Sequence, residues 1–291
     1  MLLEDKMSSV NTNVNASVAQ NALARNERSM DTAMERLSTG KRINSAKDDA
    51  AGLAISARMT SQIRGLEAGV KNAGDAISMI SVADGALVEV GNMLQRMREL
   101  TIQAGNGTIT TADRSYLNSE YGNLITEIER IADNTQWNGT NILNQASSAS
   151  STFAYQVGAN GGQTVSVNFG AVDQTSGSAF AVFGGSAASI AFTNTSAAVN
   201  SSGVLTNIDA AITELSEQRA TFGAAMNQLT YAIDNLSNVK VNSEAARSRI
   251  EDTDYAAETS ELARTQIIHQ AGVAMLAQAN QVTATVLALL R

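Results

Sequence analysis

Not one of the 291 residues is a proline, although average usage of about 5% would give a dozen or more. Proline lacks the backbone N–H and its ring clashes with the preceding turn, so a chain that excludes it is suited to long unbroken helices. The apolar residues are placed accordingly. Met59, Ile63, Leu66, Val70, Ala73, Ile77 and Ile80 advance in alternating steps of four and three, as do Leu117, Tyr121, Leu124, Ile128 and Ile131. Ile208, Ile212 and Leu215 begin a further stripe that resumes at Phe222, Met226, Leu229, Ile233 and Leu236, broken at Arg219. Such spacing collects side chains into one seam along a helix and asks for a partner helix. The first stripe predicts a helix from near Ala50 to near Gln103, roughly 80 Å long at 1.5 Å per residue. The glycine and asparagine of "AGNG" should stop it.

Between residues 134 and 208 the character changes: Asp173 is the only charged residue, and Ser, Thr, Asn, Gly and Ala dominate. Phe153, Tyr155 and Val157 alternate, as do Val165, Val167 and Phe169, on either side of "GANGG". Alternation of period two reads as a hairpin, with Asn160-Gly161 supplying the positive φ angles of a tight turn. A flexible linker is the alternative for this span. The stretch from Ser176 to Gly203 reads as two short strands or as an ordered loop.

The carboxy terminus carries no Lys, Arg, Asp or Glu between Arg264 and Arg291. Ile268, Gly272, Met275, Ala279, Val282, Val286 and Leu289 form a strict heptad series there, with further apolar residues on other faces. A helix apolar around most of its circumference is surrounded by other helices or by lipid. Gln266, His269, Gln270, Gln278, Asn280 and Gln281 weigh against lipid, since each would need a polar partner in hydrocarbon. Each larger side chain buried contributes about 1.5–3 kcal/mol, whereas ordering each backbone residue costs about 1–2 kcal/mol. One partner helix is insufficient and several neighbouring chains are enough, so the segment reads as an assembly surface. Its partner within the chain is residues 14–39, with the weaker stripe Val14, Val18, Leu23, Met30, Met34 and Leu37.

The expected fold is therefore mainly α: a long antiparallel coiled-coil-like helical rod with paired terminal helices and a small β-hairpin insertion. Residues 1–44 and 250–291 should form one discontinuous domain of terminal helices. Residues 45–249 form the rod, with a β region at about 146–202.

The chemistry of sites is sparse. There is no cysteine, which removes disulfides, thiolate metal sites and cysteine nucleophiles. A net charge of -8 argues against nucleic acid, which requires a basic face. "MLLEDKMSSVNTN" places charges where a signal core would be apolar, so no cleavable signal is expected, and Met7 is an alternative start. His269, the only histidine, reads as core-facing on its helix rather than as a catalytic or metal group. Adjacent Asp48 and Asp49 suit a helix amino terminus. "EDTDYAAE" lacks the glycine and ligand count of a calcium loop. No catalytic residue, cofactor or metal is expected, and no membrane insertion.

Several longer motifs carry a family resemblance. "ERLSTGKRINSAKDDAAGLAIS" from Glu35, "LQRMRELTIQAGNG" from Leu94, "WNGTNIL" from Trp137, "RIEDTDYAAETSEL" from Arg249 and the closing "QAGVAMLAQANQ...VLALLR" resemble bacterial flagellin segments, in flagellin order. The resemblance covers about residues 8–145 and 203–291, leaving 146–202 as a short variable region. It implies a secreted subunit that passes unfolded through the flagellar export apparatus and polymerises beneath a cap into the extracellular filament of motility. The heptad series from Ile268 to Leu289 then lies in the filament core. An export chaperone, cap and hook-junction proteins are the implied partners besides other subunits. The resemblance also implies that Arg96 and Leu100, with Glu120 on the following helix, present a surface to the flagellin-sensing Toll-like receptor of animal hosts. A hook–filament junction protein of the same superfamily is the rival reading.

Overall fold

The computed structural model describes residues 13–144, 152–170 and 197–289. Its elements in chain order are α1 (Val14–Thr39), α2 (Ala50–Ala104), α3 (Thr111–Asn134), β1 (Gln136–Trp137), β2 (Thr140–Asn141), β3 (Thr152–Gln156), β4 (Thr164–Asn168), α4 (Ala197–Glu251) and α5 (Tyr255–Leu289). The fold is mainly helical, with two small antiparallel strand pairs. Two units are distinct, one of residues 1–61 and 242–291, the other of 62–241. The limits fall inside α2 and α4, beyond residues 44 and 250, because both helices give an end to the first unit. There Arg247 Nη1 donates to Thr60 Oγ1 at 3.2 Å.

In the larger unit α2 is the spine. Its seam continues past Ile80 through Ala83, Leu87, Val90, Leu94, Met97, Thr101 and Ala104, all at most 1% exposed. Arg98–Asp209, Asp84–Arg219 and Glu67–Lys240 ion pairs descend one helix as they ascend the other, which makes α2 and α4 antiparallel. Arg219, the break in the α4 stripe, thus leaves the seam to pair with Asp84 at 2.8 Å. On α3 the buried positions are Tyr121, Ile125, Ile128 and Ala132, while Leu117, Leu124 and Ile131 pack at the edge of the core. Thr110 and Asp113 close a reciprocal capping box at its start, satisfying two otherwise unpaired N–H groups.

The β3–β4 hairpin pairs Thr152 with Asn168 and Gln156 with Thr164, and Phe169, just past β4, meets Phe153 edge-to-face and Phe222 at a tilt, at centroid distances of 5.3 and 5.2 Å. Tyr155 Oη donates to Met79 Sδ at 2.9 Å. The expected tight turn at Asn160-Gly161 is not what joins the strands. Seven residues separate Gln156 from Thr164, and the positive φ in that loop is at Gly162. The two-residue turn of that chemistry is Asn138-Gly139, with φ of 49° and 79°, between β1 and β2. Such paired positive angles match strand twist and favour Asn-Gly. Of the stretch 176–203, residues 176–196 lie outside the described residues, and Ala197 onward opens α4.

Candidate assembly interface

The smaller unit is built on the α1–α5 pair, joined at a junction made by two loop sequences. Gly40 ends α1 in the left-handed region at φ 72° and donates to the Arg36 carbonyl. A Cβ there would sit 3.2 Å from Tyr255 Oη. Immediately beyond, Arg42 N donates to the Glu251 carbonyl at 2.7 Å and Thr253 N to the Gly40 carbonyl at 3.1 Å. Arg42 Nη2 reaches the Ile250 carbonyl at 2.6 Å, and Lys41 pairs with Glu251 at 2.5 Å. The two acids singled out earlier divide the work. Asp49 Oδ1 caps α2 by accepting from Ala51 N and Gly52 N. Asp48 Oδ2 accepts from Asn44 N, Ser45 N and Ser45 Oγ. Backbone N–H groups of Ser45 and Asn44 hold its carboxyl below the usual carboxylate range. In "EDTDYAAE", Asp254 Oδ1 accepts from Ala256 N and Ala257 N and starts α5. That segment is a helix break and restart rather than an ion loop.

Along the pair, the inward positions of α1 include Ala16, Ala19, Leu23, Asn26, Met30, Ala33 and Leu37, and those of α5 include Leu262, Thr265, His269, Gly272, Leu276 and Ala279. Small and polar residues dominate this seam. Asn26 Nδ2 donates to the Thr265 carbonyl at 2.7 Å and Asn13 Nδ2 to the Ala279 carbonyl at 3.1 Å. Near the junction Arg36 approaches Glu258 at 3.6 Å. The larger apolar residues are divided: Leu23, Met30, Leu37, Leu262 and Leu276 face inward, whereas Val14, Val18 and Met34 on α1, and Ile267, Ile268, Val273 and Met275 on α5 are exposed.

Of the heptad series expected in the filament core, Gly272 and Ala279 face α1, whereas Ile268 and Met275 are 42% and 65% exposed. The side chains of Val282, Val286 and Leu289 lie outside the described residues. The α5 series that faces α1 is offset from the expected one, because the seam uses Thr265, His269 and Leu276. His269 stands in it half-buried, with Nδ1 unpartnered in the single chain. Among the described residues no group of His, Asp and Glu could hold a metal ion.

Both helical regions of the chain, junction and paired ends included, recur in known proteins. The family of the bacterial flagellin N-terminal helical region matches residues 10–148, and that of the C-terminal helical region matches 205–290. The chain belongs to the bacterial flagellin family. It is 43% identical over 282 residues to the flagellin of Halalkalibacterium halodurans, covering 97% of this chain and 99% of that one. Flagellin of Bacillus subtilis is 41% identical over 302 residues, covering 97% and 99%. The flagellar filament 33 kDa core protein of Treponema phagedenis is 38% identical over 289 residues, with the same coverage. As a flagellin the chain is a structural subunit of the flagellar filament, which is extracellular, and not an enzyme.

The three residues expected on a receptor surface separate in this flagellin. Arg96 and Glu120 are side by side, with Arg96 Nε donating to Glu120 Oε1 at 2.9 Å and Arg96 Nη1 to Glu99 Oε2 at 3.0 Å. The hydrogen bond to Glu120, then that to Glu99, hold the guanidinium more firmly protonated than usual. Arg96 remains about half exposed. Leu100 is 1% exposed, and here the expectation is corrected. Position 100 lies about one helical turn from Met97 and two from Leu94 on the buried side of α2, so its side chain forms core rather than surface.

Proposed function

We propose that this flagellin leaves the cell unfolded, assisted by an export chaperone, and polymerises beneath a cap onto hook-junction proteins. In the filament the outward apolar residues of α1 and α5 pack against neighbouring subunits. The observation that carries this reading is the second apolar face of the α1–α5 pair, with Val18, Ile268 and Met275 exposed outside a seam that already holds Leu23, Met30 and Leu276. A helix pair that closed only on itself would turn the larger residues inward, since each large apolar side chain buried contributes about 1.5–3 kcal/mol.

Met275→Asp places a charge on the outward face without touching the seam. A buried unpaired charge costs several kcal/mol, so seeded polymerisation should fail while the subunit's circular dichroism is unchanged. Normal filament yield refutes the packing role of Met275. Wild-type subunits that never elongate beyond short stubs on filament seeds favour the hook–filament junction reading instead.

The free subunit is also proposed as a ligand of the host flagellin-sensing Toll-like receptor. Arg96 and Glu120 form its charged surface, supported by their exposure and pairing on adjacent helices. Leu100 acts from beneath, by holding α2 in place.

A further inference from the structure

Among the described methionines only Met34 and Met275 are exposed, at 47% and 65%. Those of the larger unit are covered. Met79 and Met97 are 4% and 0% exposed, and Met93 and Met226 pack against the same core. Met79 Sδ also accepts from Tyr155 Oη at 2.9 Å. The chain has no cysteine, so thioethers are its only sulfur and no thiol consumes an oxidant first. The two exposed sulfurs differ in their surroundings. Met34 stands in a charged part of α1, beside Asp31, Glu35 and Arg36, where one more polar group changes little. Met275 lies between Arg264 and Arg291, a stretch without Lys, Arg, Asp or Glu, seven residues after the exposed Ile268. Residues a heptad apart share one helix face. Met275 is therefore an open thioether on an uncharged, apolar face.

We propose that Met275 is an oxidation site through which peroxide blocks assembly of the subunit. A sulfur lone pair attacks one oxygen of hydrogen peroxide; an S–O bond forms as the O–O bond breaks, and the other oxygen leaves as water after proton transfer. Sulfur loses two electrons and the peroxide gains them. The product is a sulfoxide, polar where the thioether was apolar, and methionine sulfoxide reductases reverse it. On the outward face of α5 that S–O dipole would have to be stripped of water before a neighbouring subunit could cover it, and burying a polar group is unfavourable unless a hydrogen bond replaces the water. The reaction belongs to the free subunit, because a polymer that covers Met275 also shields its sulfur. The effect on assembly rests on the proposed outward packing; the reactivity of Met275 rests on its exposure alone.

The test treats full-length subunit with hydrogen peroxide, maps the one-oxygen mass gain by peptide mass spectrometry, and then offers the subunit to filament seeds. Met275 should be oxidised well before Met79 and Met97, circular dichroism should stay unchanged, and elongation should be lost. Purified methionine sulfoxide reductases for both sulfoxide epimers, with dithiothreitol, should restore elongation. Met275→Leu conserves volume and has no sulfur at that position, so it should elongate as well after peroxide as before. It keeps Met30 and Met34, which assigns the effect to Met275. In assembled filaments Met275 should resist the same treatment. The proposal is overturned if Met79 and Met97 react as fast as Met275, if subunit oxidised at Met275 elongates normally, or if peroxide still stops Met275→Leu. Equal oxidation of Met275 in filament and subunit overturns the shielding. Should Met275→Leu fail to elongate untreated, the reductase arm decides alone: elongation that does not return as the sulfoxide is removed refutes the switch. Normal elongation of Met275→Asp would remove the packing reading, whereas a Met275 sulfoxide that elongates beside a Met275→Asp that does not removes this proposal only.

Discussion

Gly69→Ala sets two effects of opposite sign against each other, and the structure decides between them. In a helix interior, alanine stabilises relative to glycine by roughly 0.5–1 kcal/mol, because the unfolded chain loses less freedom. Gly69 lies within α2, so propensity alone predicts a gain. The β3–β4 loop lies against that point. A Cβ on Gly69 would be 2.7 Å from the Val157 carbonyl oxygen and 3.0 Å from its carbon. Both are backbone atoms and cannot rotate aside, so the loop must shift. Asn72 Nδ2, which donates to the Gln156 carbonyl at 2.9 Å, would be drawn toward the limit of hydrogen-bond range. Overpacking of this kind costs about 1–3 kcal/mol, and the hydrogen bond contributes about 1 kcal/mol. The net expectation is destabilisation by roughly 1–2 kcal/mol once the propensity gain is subtracted. Gly74→Ala and Gly85→Ala are the controls, since a Cβ at either meets nothing within 4 Å and propensity should act alone. Urea unfolding of the soluble subunit, followed by circular dichroism, should move the midpoint down for Gly69→Ala and up for both controls, with unchanged slopes. A midpoint that rises for Gly69→Ala as it does for Gly74→Ala would show that the loop does not rest on the helix.

Burial pushes the Tyr121 and Tyr155 phenols up to about 12, so the folded chain holds two protons that the unfolded chain releases near pH 10. Their contribution to stability is complete below about pH 10 and lost as pH rises toward 12; ultraviolet phenolate titrations with and without urea should separate, and coincident curves refute the burial. Leu100→Ala should lower the unfolding midpoint by the equivalent of about 2–5 kcal/mol, whereas Arg96→Ala should stay within about 0.5 kcal/mol of wild type. If the receptor reads Arg96 directly, folded Arg96→Ala subunit loses receptor activation with no loss of stability; full activation would discard that surface. Hydrogen exchange should find amides of α1 and α5 weakly protected in dilute subunit and strongly protected in filaments, with α2 protected in both. Equal protection of α5 in the two states would show that the seam suffices without neighbours.

The helices of the larger unit were legible because their large apolar residues point at each other. Ile63, Leu66 and Ile80 on α2, and Ile208, Leu215, Phe222 and Leu229 on α4, are spaced by the seam and buried by it. Beyond Ile80 the same spacing continues through Leu87, Val90, Leu94 and Met97, and only Ala83, Thr101 and Ala104 carry little hydrophobic signal, although they are as deeply buried. The hairpin strands followed from alternation, but the turn did not. Two Asn-Gly pairs compete for the same turn chemistry, and it is the distance between the paired strands that decides which forms a two-residue turn. Arg96 and Glu120 were found by resemblance, and their pairing follows from α2 and α3 running antiparallel. The burial of Leu100 had a sequence signal, since it continues the spacing of Leu94 and Met97, but a charged surrounding sequence obscured it.

The terminal helices show why hydrophobic periodicity names a face without naming its partner. In α5 the series through Ile268 and Met275 is the more apolar heptad, yet α1 covers the one through Thr265, His269 and Leu276. Helices can approach closely only where side chains are small, and close approach brings an asparagine within 2.7 Å of a backbone carbonyl on the facing helix. The seam therefore gains alignment from small and polar residues, at the expense of the apolar area a larger side chain would bury. The area withheld remains on the outside, where only another chain can cover it. An isolated subunit with this allocation has a defined pairing and little to stabilise it; a polymer supplies the missing burial without having to supply the alignment. Reversing the allocation should separate the two properties. A seam enriched in leucine would hold α1 on α5 in the free subunit, and with Val18, Ile268 and Met275 replaced by polar residues such a subunit would be well ordered and unable to polymerise.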